Sequence, residues 1–115
     1  MDFSFFAHME RIDKSQSQTR LYEEFIELCM VAEKGGFSTI WNGEHHGMNF
    51  TIAPNPFTNL VDLSHRTKSI KLGTATIVAP FWHPIKLAEE TAMADIITKG
   101  RLQLGLARGA YSFEY

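Results

Sequence analysis

Ile70 to Ala107 read IKLGTATIVAPFWHPIKLAEETAMADIITKGRLQLGLA, and the architecture turns on the order of signals in this stretch. Ile70–Val78 is rich in β-branched residues and predicts a strand. Ala79–His83 reads as a turn. Pro84 suits the first position of a helix, where its missing N–H does no harm. Ile85, Ala88, Ala92 and Ile96 then recur on one helical face, and Gly100 stops the run. Arg101–Ala107 alternates: Leu102, Leu104 and Leu106 face one way, and Gln103, Gly105 and Ala107 the other, as along a strand. Strand, helix, strand in this order predicts a parallel pair joined by a helical crossover.

Two more cycles of the same kind precede it. Phe3–Ala7 is a short apolar-aromatic run that reads as a strand. Leu21, Tyr22, Phe25, Leu28, Cys29 and Ala32 follow at the spacing of an amphipathic helix. Ser17 or Thr19 can cap its start, and Gly35-Gly36 can supply the left-handed stop. Phe37–Trp41 predicts a second strand and Pro56–Thr67 a second helix, with Asn55-Pro56 as the turn leading into it. The whole chain is therefore expected to be α/β, in the order β-α-β-α-β-α-β, with parallel strands. Gly73, Ala75, Gly105 and Ala107 face away from the helices, and such small residues favour the lumen of a barrel over an open sheet. A closed eight-stranded barrel takes about 250 residues. With 115 residues, the expectation is the N-terminal portion of a (β/α)₈ TIM barrel, one domain over residues 1–115 that is incomplete on its C-terminal side.

Composition excludes several functions. Eleven Lys and Arg against 13 Asp and Glu give a formal charge of −2, which argues against nucleic-acid binding through bulk charge. The single cysteine, Cys29, rules out an internal disulfide and a cysteine-based zinc cluster. It falls on the apolar stripe of the first helix, where it reads as a small core residue. The start, Met1 to Phe6, lacks the basic segment of a signal peptide. Leu72–Pro84 carries no charge but is broken by Gly73, Pro80 and His83, so it predicts no membrane span. A soluble cytoplasmic protein without membrane or nucleic-acid partners is expected.

Ligands of parallel α/β folds bind at the carboxyl ends of the strands. The unusual residues of this chain fall there: His8, Glu44-His45-His46, Thr76 to His83, and Arg108-Gly109. In Glu44-His45-His46, a histidine near its ordinary pKa of about 6.5 can move a proton, with Glu44 fixing the tautomer. Adjacent histidines point in different directions, and no H-x-H or HExxH spacing occurs, so no metal is expected. An arginine beside glycine at a strand end, as at Arg108, can hold an anion such as a phosphate. Gly105–Gly109 matches neither the dinucleotide fingerprint nor the P-loop. Trp41 and Trp82 read as wall and packing residues, and His83 either as a helix cap or as a site residue.

Three motifs in register, GFSTIWNGEHHG…NPF (from Gly36), IKLGTATIVAPFWHPIKLAEE (from Ile70) and KGRLQLGLARGAY (from Lys99), resemble the bacterial luciferase-like flavin monooxygenases. The similarity runs from Met1 to Tyr115. It implies a (β/α)₈ barrel and a reduced FMN supplied by a separate flavin reductase. Dioxygen would add to that FMN to give a flavin hydroperoxide, which inserts one oxygen atom into a small organic substrate. It further implies that His45 is catalytic, with Glu44 and His46 as neighbouring motif positions. Arg108 matches an arginine that helps to hold the flavin phosphate, and Phe6 an aromatic near the flavin ring. Ala75-Thr76 falls where the family often has a non-prolyl cis peptide beside that ring. Ala107 occupies the place of a reactive cysteine of the light-emitting subunit, so neither light emission nor a long aldehyde substrate is implied. A homo- or heterodimer is expected. The alternatives within and beside the family are a deazaflavin-dependent oxidoreductase and a non-catalytic flavin-binding or dimerisation partner. By itself the 115-residue chain is expected to be inactive.

Overall fold

The computed structural model describes residues 1–115. Strand β1 (Ser4–Phe6) leads to helix α1 (Gln18–Lys34), β2 (Thr39–Asn42), α2 (Pro56–Arg66), β3 (Lys71–Thr74), β4 (Ile77–Val78), α3 (Pro84–Ile97), β5 (Leu102–Gln103) and β6 (Leu106–Ala107). Single 3₁₀ turns cover Ala79–Phe81 and Ser112–Glu114. β1, β2, β3 and β5 form a parallel sheet in that order, and β4 and β6 form a second parallel pair. The expected alternation of parallel strands and helices is what the chain adopts.

Register explains why one face of the sheet is core and the other is site. Phe5, Ile40, Leu72 and Leu102 are successive partners across the sheet. They point at the helices and belong to a cluster with Phe25, Ile26, Cys29, Leu60 and Leu63 from α1 and α2. The next row, Phe6, Trp41 and Gly73, must face the other way, because side chains alternate along a strand. There is no room at Gly73 for a Cβ, since the Trp41 indole lies flat against its backbone.

The helices start where their caps dictate. Of the two candidates, Ser17 caps α1, its hydroxyl accepting from the Arg20 N–H at 3.4 Å. Asn55 caps α2, and the Nδ1 of His83 accepts from the Ile85 N–H at 3.3 Å to cap α3. Burial on α1 is displaced from the expected stripe: Phe25, Ile26, Cys29 and Ala32 are buried, while Leu28 is exposed. The Cys29 thiol is pushed up to about 12 by burial, as suits a core residue.

Two expectations need correction. Ile70–Val78 is not one strand and Arg101–Ala107 is not one strand; each is broken into two. The breaks fall at the same level, at the cis Ala75–Thr76 peptide and at Leu104-Gly105. Thr74 bridges them, its Oγ1 donating to the Gly105 carbonyl at 3.0 Å and accepting the Gly105 N–H at 2.9 Å. The stripe assigned to α3 is also wrong. Ile85 and Ile96 are 63% and 71% exposed, and the covered side carries Leu87 and Ala94. α3 is apolar on more than one side, and its contact with α2, not its periodicity, selects the side that is buried. No helix is long and apolar enough to cross a membrane.

Candidate active site

Asn42 ends β2 with its side chain fully buried. Its Nδ2 donates to the Ala7 carbonyl at 3.3 Å, and its Oδ1 accepts from Asn59 Nδ2 at 2.9 Å. These bonds tie the ends of β1 and β2 to α2 at the point where the chain turns into Gly43-Glu44-His45-His46. Two loops then zip together over the strand ends. The Met9 N–H bonds Thr51 Oγ1, the Ile52 N–H bonds the Met9 carbonyl, and the Arg11 N–H bonds the Asn49 carbonyl. His8 and His45 are thereby held across from each other, ring centroids 6.1 Å apart.

Glu44 is 2% exposed, and its carboxylate is fully used. It accepts from the Val78 N–H at 2.8 Å, from Trp82 Nε1 at 3.0 Å, and meets His46 Nε2 at 2.7 Å. Glu44 therefore joins the end of β2 to β4 and to the entrance of α3, and orients His46. It does not contact His45. The carboxylate on His45 belongs to Glu114, whose Oε1 lies 3.1 Å from His45 Nδ1 and also accepts the His46 N–H at 2.9 Å. Phe50 and Tyr111 flank the His45 ring at 5.2 and 5.6 Å. With Nδ1 tied to a carboxylate, the proton-exchanging atom left to His45 is Nε2.

Phe6, Trp41, Thr74, Ala75, Thr76 and Gly105 line a largely apolar concavity of about 530 Å³ on the sheet face opposite the helices. Phe6, Ala75 and Thr76, singled out from sequence, are thus brought together, and the Ala75–Thr76 peptide is cis as the resemblance implied. Gly105 is required there because a Cβ would run into the Thr74 carbonyl oxygen. His8 links the concavity to the histidine loop: its ring packs edge-on to Phe6 at 4.5 Å. Arg108 follows β6, is exposed, and does not line the concavity. Trp82 proves to be a hydrogen-bond donor as well as a packing residue, edge-on to Phe57 at 5.7 Å. No group of three His, Cys, Asp or Glu side chains is arranged to hold a metal ion.

Sequence reasoning missed Glu114 and Trp41 as parts of the site. Glu114 is 69 positions from His45, and no local spacing marks such a contact. Trp41 was within reach, since it shares a row with Phe6 and alternates with Ile40.

A parallel βα sheet with an apolar floor at its strand ends and a carboxylate-tied histidine beside it has the layout of a ligand site in a parallel α/β fold. The profile of the luciferase-like monooxygenases matches residues 1–115, and the chain belongs to that family. It is 65% identical over all 115 residues to the oxygenase component of the flavin-dependent trigonelline monooxygenase of Acinetobacter baylyi, of which it covers 32%. Among solved structures, a monooxygenase of Streptomyces bottropensis superposes with a TM-score of 0.91 at 30% identity, over 99% of this chain and 35% of that one. The oxygenating constituent of 3,6-diketocamphane monooxygenase from Pseudomonas putida, solved in complex with FMN, gives a TM-score of 0.90 at 24% identity, over 99% and 31%. The chain thus spans about a third of the length of these relatives.

Proposed function

We propose that residues 1–115 are the first third of a single (β/α)₈ barrel, a cytoplasmic FMN-dependent monooxygenase that oxygenates a small organic substrate. Trigonelline, on which the Acinetobacter relative acts, is the first compound to test. The reading rests above all on the placement of the flat apolar floor of Phe6, Trp41, Ala75 and Thr76 next to a histidine loop anchored from below by Glu44. The glycine at 105 lets this segment approach the Thr74 carbonyl so closely that no Cβ fits between them, which brings β5–β6 up to the edge of the floor. Reduced flavin bound there supplies the electrons that activate dioxygen.

The remaining work is that of the chain's own residues. Phe6, Trp41, Ala75 and Thr76 support the ring. Arg108, an exposed cation at the end of β6, meets the phosphate, together with residues beyond this third of the barrel. His45 holds or passes a proton at Nε2, with Glu114 fixing its tautomer through Nδ1. Glu44 and His46 serve by position, because the Glu44 oxygens are occupied by Val78, Trp82 and His46. The term "oxygenase component" in the relative's name supports a separate reductase as partner, and a dimer is the expected assembly.

The test uses the chain extended to the length of its relatives, with reduced FMN from a reductase. Oxygen uptake coupled to trigonelline consumption is expected. His45→Ala should cut turnover at least about 100-fold while flavin binding stays within a few-fold. Hydride transfer with a deazaflavin in place of oxygen uptake would move the protein to the other branch of the superfamily. Turnover that survives in His45→Ala would remove the role assigned to that residue.

A further inference from the structure

One side-chain atom of the molecule is buried without a hydrogen-bond partner: Nδ1 of His8. The ring is held by packing alone, edge-on to Phe6 and tilted over Phe50 at 4.5 Å each, with Cε1 against the backbone of Gly43. The backbone to either side is pinned, by the Ala7 carbonyl accepting from Asn42 and the Met9 N–H donating to Thr51. His8 thus sits between the apolar floor and His45 with no structural bond of its own to make.

That geometry decides the state of the ring. An imidazolium carries an N–H on both nitrogens, and the one at Nδ1 would be buried without an acceptor, which disfavours the charged ring. A neutral ring avoids this by keeping its proton on Nε2, which strands only a lone pair and leaves the N–H to be paired by a ligand. Building on the flavin-monooxygenase reading, we propose that His8 is a substrate-contacting residue, an uncharged imidazole that donates from Nε2 to a carbonyl or carboxylate oxygen of the substrate lying between Phe6 and His45. The electrostatics agree. Burial and then the neighbouring His45 lower the His8 pKa below its ordinary 6.5, against an upward pull from Glu10. A neutral donor orients an oxygen acceptor without demanding a counter-charge, and so selects for the acceptor's position.

The extended, FMN-loaded protein tests this in two independent ways. In His8→Phe, which keeps the ring contacts and removes the donor, KM for trigonelline should rise about tenfold or more with little change in kcat, flavin affinity or Tm. His8→Gln, which restores an N–H donor, should recover part of the loss. A KM within twofold of the parent in His8→Phe, or a loss of flavin binding in that variant, overturns the proposal. The second readout needs no substrate: ¹⁵N chemical shifts of His8 at pH 6 should show a neutral ring protonated at Nε2. An imidazolium, or a proton on Nδ1, overturns it. If the parent protein takes up no oxygen with reduced FMN, the functional reading falls, and the nitrogen shifts still decide the state of His8.

Discussion

The two ends of the same strands treat their polar groups in opposite ways. At the amino ends two charged side chains are taken up by the backbone. The Arg101 guanidinium donates to the carbonyls of Ser64, Ile70 and Thr98 and to Thr67 Oγ1, at 2.7, 3.3, 3.1 and 2.9 Å. Glu33 accepts the N–H groups of Lys68, Ser69 and Ile70 at 2.9, 2.8 and 3.0 Å. At the carboxyl ends, Nδ1 of His8 has no partner, Arg108 is exposed, and the floor beneath them is open. One end uses Arg101 and Glu33 to join α1, α2 and β5; the other leaves His8 and Arg108 without a protein partner. Glu44, like Asn42 and Thr74, is fully engaged there, and these bonds make the open end rigid enough to present a site.

Substitutions can break this contrast, and all are read in the extended protein by urea denaturation. Glu44→Ala leaves the Val78 N–H, the Trp82 N–H and the His46 ring without their acceptor. It should cost about 3 kcal/mol and remove flavin binding with it. A loss below about 1 kcal/mol would mean that the open end does not depend on this anchor. Arg101→Met should cost about 2 kcal/mol, since four acceptors lose a charged donor, with flavin affinity unchanged. Reduced flavin affinity in Arg101→Met would show that the two ends are not independent.

Glu33 sharpens the comparison through pH. Burial raises its pKa, but the backbone donors of Ser69, Ile70 and Lys68, with the Arg101 charge, outweigh this and leave it below the ordinary 4.5. The native carboxylate thus holds its proton less tightly than the unfolded chain. Its contribution is complete above about pH 4.5 and is lost as pH falls through the lower native value. Glu33→Gln should therefore lose about 1 kcal/mol at pH 7 and little near pH 3. An equal loss at both pH values would place the effect in packing instead. The smallest change in stability is expected at Arg108. Arg108→Ala should stay within about 0.5 kcal/mol of the parent and weaken FMN about tenfold. A destabilised but normally binding Arg108→Ala would reverse its assignment.

Much of the fold was legible because the signals are local. Ser17, Asn55-Pro56 and His83-Pro84 mark helix starts through side-chain acceptors and a missing N–H, and those starts are where the helices begin. The apolar runs at Phe5, Ile40 and Leu72 mark strands for the same reason. Burial on helices was less legible. Leu28 is exposed although it falls near the α1 stripe, and Ile85 and Ile96 are exposed although they share a face. Periodicity records which residues align, whereas the side that becomes core depends on which neighbour covers it.

The site divides along the same line. Residue type and position at a strand end were enough to single out Glu44, His45, His46 and Arg108, because parallel strands carry their chemistry at their carboxyl ends, whereas Phe6, Ala75 and Thr76 were singled out through the family resemblance. The pairing of those groups was not contained in any local pattern. That Glu44 bonds Val78, Trp82 and His46, that Glu114 bonds His45, and that His8 is left with a buried nitrogen all depend on contacts spanning up to 69 positions. Chain order supplies the functional groups; only the closing of three loops over one sheet end settles which of them satisfy each other and which remain for a ligand.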